Sequence, residues 1–478
     1  MNFYNDLLGI SPVLIVSLAG LIVVILEALF KKGETISYFL SIISLILAGL
    51  FAIYTYSMYS TAFNGMVAVG GYASFFNFIF CVGALLTILL SKDYLAKRNI
   101  NYGEFYILVL FATAGMMFLA SGVDLIITFL GIELMSISLY VLAAFARTDP
   151  KSNEAGLKYL LLGAFATGFL LFGIAFIYGS TTTTNLKVIS ANFQNYQNDF
   201  LFWLGVGLLL VGFSFKVAAV PFHMWAPDVY EGAPTPASGF MSAVSKSAAF
   251  GAFVLVFIFG FNGTNEQVRY AIAIISVLSM ALGNIIALSQ TNIKRMLAYS
   301  SIAHAGYILI GLASANELGK QGVLYYSLAY ILMQVGAFGV VSIVEREENK
   351  ALNINDYAGL GHRKPLIGVL MSIFMFSLTG FPPFAGFVGK YYLFASAVQA
   401  KMTWLAVAGV LATLVSVYYY LNVVINMYLK EQPAEVLNNP EQEKISISSA
   451  FAVLISAIGI FIIGILPTLV TRYFEKLF

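Results

Sequence analysis

The sequence has little charge and almost no cysteine. Charged residues fill 10% of its 478 positions and hydrophobic residues 60%, far from the roughly 25% charged usage of a soluble globular domain. Its solvent is therefore lipid. The single cysteine, Cys81, lies in an apolar run, which excludes disulfides within the chain, thiolate-held clusters and cysteine zinc sites. Any redox centre must belong to another protein. The three histidines, His223, His304 and His362, are isolated from one another and do not make a metal site. No basic cluster accompanies the net charge of +2, so nucleic acid is not an expected partner. Gly386-Phe-Val-Gly-Lys390-Tyr lacks the glycine spacing and the following hydroxyl of a phosphate-binding loop. Dinucleotide fingerprints and nucleophile elbows are missing too. No catalytic chemistry and no bound cofactor are expected of this chain itself.

What is present is a series of apolar runs, each about 20 residues long and able as a helix to cross a hydrocarbon core of roughly 30 Å. Polar punctuation divides them into about fourteen spans. They lie near 9–30, 35–58, 73–91, 104–121, 124–146, 154–178, 200–231, 236–261, 269–290, 295–315, 321–345, 366–399, 403–429 and 446–470. The first run, Leu14 to Phe30, lacks a basic region before it and a small-residue cleavage pattern after it, so it reads as a span and not as a signal peptide. Of 25 Lys and Arg, fifteen fall in the odd-numbered connections and six on the opposite side. The positive-inside rule then places the odd connections in the cytoplasm and both termini outside.

Two spans are long and interrupted: the seventh by Lys216-Val-Ala-Ala-Val-Pro221-Phe-His-Met-Trp-Ala-Pro227, the twelfth by Gly380-Phe-Pro-Pro383-Phe-Ala-Gly-Phe-Val-Gly-Lys390. Proline removes a backbone donor and clashes with the preceding turn, so each helix should break near mid-membrane. The breaks are five helices apart and enter from opposite sides, as in an inverted repeat, whose paired broken helices point to a transport site. The sixth and eleventh spans echo each other weakly, Lys158-Tyr-Leu-Leu-Leu-Gly-Ala-Phe-Ala-Thr-Gly against Tyr326-Ser-Leu-Ala-Tyr-Ile-Leu-Met-Gln-Val-Gly. The polar connections Gly179 to Asp199 and Glu345 to Lys364 are too short for a second, soluble domain. The expected fold is an all-α polytopic membrane protein of about fourteen helices. Its single membrane domain, 1–478, divides into helices one to three (1–100), a first five-helix repeat (101–262), an inverted second (263–430) and helix fourteen (431–478).

Four lysines are left inside the spans: Lys158, Lys216, Lys246 and Lys390. Lys246 lies near the midplane, where a lysine costs around 2.5 to 3.5 kcal/mol on insertion scales and is poised for reversible protonation. The alternative is a structural charge pair. Lys216 precedes the first break, and Glu133, inside the fifth span, is a candidate partner for a switchable ion pair or a static bridge. Lys390 follows the second break in the inverted position. Lys158 lies four residues after Glu154, where an ordinary i,i+4 pair competes with a functional role. Glu104 opens the fourth span, where the helix dipole stabilises a carboxylate in any case. His304 is a candidate proton relay through nearby hydroxyls and water, or a packing histidine; His223 adjoins the first break and its exposed carbonyls. Asp228 and Glu231 are expected to cap a tight turn, with proton entry as the sharper reading. Glu27 reads as an interfacial partner of Lys31, and His362 as a solvated loop residue.

The stretch Phe215-Lys-Val-Ala-Ala-Val-Pro-Phe-His-Met-Trp-Ala-Pro-Asp-Val-Tyr-Glu-Gly-Ala-Pro-Thr-Pro236, then Val244-Ser-Lys-Ser-Ala-Ala-Phe250, resembles the antiporter-like membrane subunits of bacterial NADH–quinone oxidoreductase, respiratory complex I. Asn292-Ile-Lys-Arg-Met-Leu-Ala-Tyr-Ser-Ser-Ile-Ala-His-Ala-Gly306 and Gly380 to Lys390 extend the resemblance over about residues 100–430. Asp-Val-Tyr-Glu-Gly-Ala-Pro-Thr-Pro and the lysine in the twelfth span are similar to the N-type subunit; the M type typically has glutamate there, and the L type a long carboxy-terminal extension. The resemblance implies a proton-translocating subunit in a bacterial inner membrane, with Glu133, Lys216, Lys246 and Lys390 on a hydrophilic axis. It also raises Lys158 and Glu104. It implies partner subunits, neighbouring antiporter-like ones among them, that hold the NADH, flavin, iron–sulfur and quinone chemistry, with quinone met only indirectly. Two rivals remain: a subunit of a multisubunit sodium/proton antiporter, and an assembly subunit with a closed channel.

Overall fold

The computed structural model describes residues 3–30, 33–263, 265–345, 352–431 and 445–474. Backbone groups in lipid must find partners within their own segment, and twelve of the described helices are long and apolar enough to cross a membrane. The first six are α1 (Ser11–Leu29), α2 (Gly33–Thr55), α3 (Gly71–Lys97), α4 (Glu104–Ser121), α5 (Leu125–Ala143) and α6 (Pro150–Thr181). The seventh span is two helices, α7 (Phe200–Lys216) and α8 (Trp225–Gly232), separated by a cis Val220–Pro221 bond. Next come α9 (Thr235–Gly260), α10 (Glu266–Leu288), α11 (Ile293–Ser314) and α12 (Glu317–Val344). The twelfth span is also divided, into α13 (Pro365–Thr379) and α14 (Ala385–Gln399) around a cis Pro382–Pro383 bond. The last two are α15 (Thr403–Leu429) and α16 (Ile447–Ile465). The chain is a multi-pass α-helical membrane protein.

Helix starts follow capping chemistry: the side chains of Asp124, Asp149, Asp199, Asn265, Asn292 and Asn316 each accept a backbone N–H of the helix they open. At α7 the Ser180 hydroxyl and the Leu201 N–H together hold the Asp199 carboxyl below the usual carboxylate range. One departure from the all-helical expectation is a short antiparallel hairpin, Ser60–Ala62 with Val67–Val69. Its turn has Asn64 and Gly65 at positive φ, the Asn-Gly chemistry that favours hairpins. The polar connections also hold helical turns, Leu186–Ala191 and Leu360–Arg363.

The bundle has a core and a rim. In α9 and α11, 94% of the most apolar window is buried, and in α12 89%, whereas α15 buries 28% and α1 and α6 33% each. Close helix approach depends on glycine. A Cβ on Gly115 of α4 would lie 2.4 Å from the Met135 backbone nitrogen of α5, and one on Gly283 of α10 would lie 2.7 Å from that of Ala303 in α11. α5 and α11 also share a device at their starts. Just before α5, Asp124 bridges Asn185, and just before α11, at the same separation in sequence, Asn292 bridges Asn353. The flanking bonds match as well: Leu125 N to Thr184 O, 2.9 Å, beside Ile293 N to Leu352 O, 2.9 Å.

Candidate functional site: a line of buried lysines

Each broken helix brings a lysine to its break. Lys216 ends α7, where the dipole favours a cation, and its ammonium donates to Ser136 Oγ of α5 at 2.7 Å. Glu133 lies one helical turn before Ser136, so the two share a face. Glu133, the candidate partner of Lys216, makes no direct ion pair with it. Ser136 occupies the ammonium, while Glu133 is half-buried with Oε1 enclosed and lacking a hydrogen-bond partner. Attraction between the two charges remains. The α7–α8 break is tied down by other side chains: the Trp225 indole donates to Phe215 O at 3.1 Å, and Ser279 Oγ of α10 accepts from Val220 N at 2.9 Å. Trp225 also stacks on Tyr159, centroids 4.4 Å apart. His223 sits beside the Pro221 carbonyl, with its Nδ1 buried and not engaged in a hydrogen bond.

Lys246 follows a π-helical turn, Met241–Ser245, one of two in α9; the other is Val254–Gly260. Such turns insert a residue and re-aim the side chains beyond it, and they recur at functional sites. The ammonium, 1% exposed as a residue, donates to Ser301 Oγ at 2.8 Å and to Ser301 O at 3.0 Å in α11, and lies 5.8 Å from the Tyr230 ring. One turn along α11, His304 is fully enclosed between hydroxyls: Nδ1 lies 2.7 Å from Tyr326 Oη and Nε2 2.9 Å from Tyr420 Oη, which in turn bonds Ser300. One turn further, the Tyr307 ring lies 4.4 Å from Lys390 Nζ. Lys390 reaches back from α14 to the carbonyls of Leu378 and Thr379, 3.2 and 2.9 Å away, at the end of α13. It thereby satisfies two of the acceptors that a helix end leaves open. Side chains of α11 thus stand between Lys246 and Lys390, and His304 feels the charge of both.

The remaining candidates lie nearer the surface. Lys158, its side chain 40% exposed, pairs with Glu154 at 2.7 Å, as the i,i+4 spacing predicts, and with Asp228 at 2.6 Å. Asp228 and Glu231 do not cap a tight turn. They project from α8 and share Arg295 Nη1, at 2.7 and 3.0 Å. Glu104 opens α4 as expected but is exposed, on an apolar groove of about 800 Å³ between α4, α5 and α6. Glu27 accepts from Ser37 Oγ at 2.8 Å and Gly103 N at 3.2 Å, tying α2 and the start of α4 to α1; Lys31, its expected partner, lies outside the described residues. His362 belongs to a helical turn and bonds Tyr428 O at 3.0 Å, so it is not merely solvated.

Sequence reading missed the hydroxyl partners Ser136, Ser301, Tyr326 and Tyr420, because spacing does not reveal which helix faces which. It also counted Lys294 and Arg98 as loop charges. Lys294 is buried, with Nζ 2.7 Å from Ala233 O, and Arg98 lies beside the buried Glu345.

A membrane bundle with two broken helices, each presenting a buried lysine at its break, has the architecture of the ion-coupled transporters. Residues 122–416 match the family model described as NADH:quinone oxidoreductase/Mrp antiporter, TM. The NADH-quinone oxidoreductase subunit N of Trichlorobacter lovleyi is 45% identical over 98% of this chain and 96% of its own length. The chain belongs to that antiporter-like family and, within it, to the family of NADH-quinone oxidoreductase subunit N. A chain of respiratory complex I from Thermus thermophilus with bound aureothin superposes with a TM-score of 0.83 at 34% identity, covering 96% of this chain and 98% of that one. A chain of the Mrp complex from Dietzia sp. shares the fold, with a TM-score of 0.87 at 19% identity, covering 99% and 96%.

Proposed function

We propose that Glu133, Lys216, Lys246 and Lys390 carry the protons moved by this subunit. As a member of the subunit N family, the chain is a proton-translocating membrane subunit of NADH-quinone oxidoreductase. The observation that carries the assignment of Lys246 and Lys390 is the buried row Ser301, His304 and Tyr307 of α11 that stands between them, with the Ser301 hydroxyl on Lys246, His304 held by two tyrosine hydroxyls and the Tyr307 ring 4.4 Å from Lys390. Intramembrane charges of this kind are functional by default. Redox chemistry in partner subunits, where NADH, flavin, iron–sulfur clusters and quinone reside, perturbs the Glu133/Lys216 couple. The coupling is by charge: Lys216 donates to Ser136, whose own hydroxyl donates to Ile132 O, and the ammonium feels the Glu133 carboxylate without direct contact. Protons then pass through Lys246 and His304 to Lys390 and leave on the outer side of the bacterial inner membrane, with Lys158, Glu104 and His223 as accessory relays. Each charge moved against the membrane potential costs about 2.3 kcal/mol per 100 mV, which the coupling supplies. The two matching bridges at Asp124 and Asn292 support the two inverted repeats, residues 101–262 and 263–430.

Lys246→Ala or Glu133→Ala in the assembled complex is expected to depress proton pumping and coupled quinone reduction while the complex still assembles. Unchanged values for both would sink the assignment. Failure of both variants to assemble would favour the rival of a structural subunit. Sodium movement in place of protons would favour the antiporter subunit.

A further inference from the structure

A second buried charge cluster lies near the basic face, away from the lysine line. Glu345 follows α12 and is 3% exposed. Its carboxylate accepts from Tyr94 Oη of α3 at 3.2 Å and from the Thr235 hydroxyl, the first residue of α9. The Arg98 guanidinium stands off at 3.7 Å, with that nitrogen buried and lacking a hydrogen bond, while its other terminal nitrogen bonds Asp149 at 3.3 Å. Lys294 of α11 and the buried Tyr357 also face the carboxylate. A structural Arg–carboxylate pair is commonly bidentate and fully bonded. Here Tyr94 and Thr235 hold the two carboxylate oxygens, and the Arg98 nitrogen nearest them makes no hydrogen bond.

Toward the lysine line the same helix presents more unanswered polar atoms. Gln334 of α12 is fully buried; its Nε2 reaches Leu297 O at 3.3 Å, yet its Oε1 lacks a partner, as does Tyr357 Oη beside Glu345. Buried polar atoms in this condition are normally answered by ordered water. One turn beyond Gln334, Tyr330 places its hydroxyl next to Ser301, the acceptor of Lys246. Between the two levels Phe338 packs on Gly239 of α9, where an added Cβ would lie 3.0 Å from the phenylalanine Cβ.

We propose that Glu345 is the carboxylate that loads protons from the cytoplasm for Lys246, with Gln334 and Tyr330 holding the water between them and Phe338 as the apolar constriction. The inference rests on Lys246 being a proton carrier. When Glu345 takes up a proton, its acceptor hold on Thr235 weakens, and with it the anchorage of the helix that bears Lys246. The proton then passes inward, and the carboxylate returns to its bonds with Tyr94 and Thr235.

The test uses the assembled complex in sealed vesicles, comparing Glu345→Gln, Glu345→Asp, Gln334→Leu and Lys246→Ala. Glu345→Gln is expected to lower coupled turnover several-fold and proton uptake per electron by this subunit's share, with Glu345→Asp restoring most of both. The deficit should narrow as the bulk is acidified, since loss of a loading group is offset by proton concentration and loosened packing is not. Should Glu345→Gln fail to assemble, Gln334→Leu, which leaves the carboxylate's bonds intact, decides: reduced pumping supports the route and wild-type pumping overturns it. Assembled Glu345→Gln with normal pumping, or with a deficit independent of pH, overturns the inference while Lys246→Ala stays impaired. Normal pumping by Lys246→Ala overturns the underlying reading instead.

Discussion

At the scale of single residues, serine hydroxyls hold two of the buried ammonium groups, those of Lys216 and Lys246. Ser301 supplies Lys246 with both its side chain and its carbonyl, so Ser301→Ala leaves a buried ammonium with one acceptor fewer, a loss of about 1–3 kcal/mol for a charged donor. Coupled turnover is expected to fall several-fold in that variant. Ser44→Ala, which removes a buried hydroxyl bonded only within its own helix, to Ser41 O at 2.9 Å, should leave turnover unchanged; equal effects would show that Ser301 acts through packing alone. Lys216, Lys246 and Lys390 were legible in the sequence because an ammonium inside an apolar run stands out from its neighbours. Their partners were not. A serine or tyrosine in a span looks the same whether it bonds its own helix, as Ser44 does, or another helix's lysine, as Ser136 and Ser301 do. Glu345 and Lys294 escaped for the converse reason: both flank polar connections, where charge is ordinary, and only the fold buries them.

At the scale of elements, proline pairs and glycines announced the breaks correctly, and each break fell where Pro221 and Pro382–Pro383 placed it. The π turn ahead of Lys246 had no such signal, since Met241–Ser245 is compatible with ordinary helix. Helix contacts offer a sharper test. Gly115→Leu would force a side chain into the Met135 backbone, whereas Gly168 has no atom within 4 Å of its notional Cβ. Overpacking costs about 1–3 kcal/mol or more. A thermal melt of the solubilised complex should therefore drop for Gly115→Leu and stay level for Gly168→Leu; matching melts would mean that α4 and α5 do not approach as described.

At the scale of the whole molecule, orientation rests on the uneven spread of lysine and arginine, and the lone buried Cys81 makes it measurable. A membrane-impermeant thiol reagent should label Tyr4→Cys, at an exposed position near the amino terminus, from the outside, and Lys97→Cys only in inverted vesicles. The opposite pattern would reverse the topology and with it the direction of proton loading. The core and rim arrangement has one more consequence. Among the long spans α11 is the least apolar, yet it is among the most enclosed, because it begins with Lys294 and Arg295 and carries Ser300, Ser301 and His304. During biosynthesis such a segment partitions poorly into lipid by itself. α10 precedes it by a short connection and is bonded to it by Ser276 Oγ to Gly306 O at 2.7 Å. α10 and α11 are therefore expected to enter the bilayer as one hairpin, the less apolar helix in the company of its neighbour.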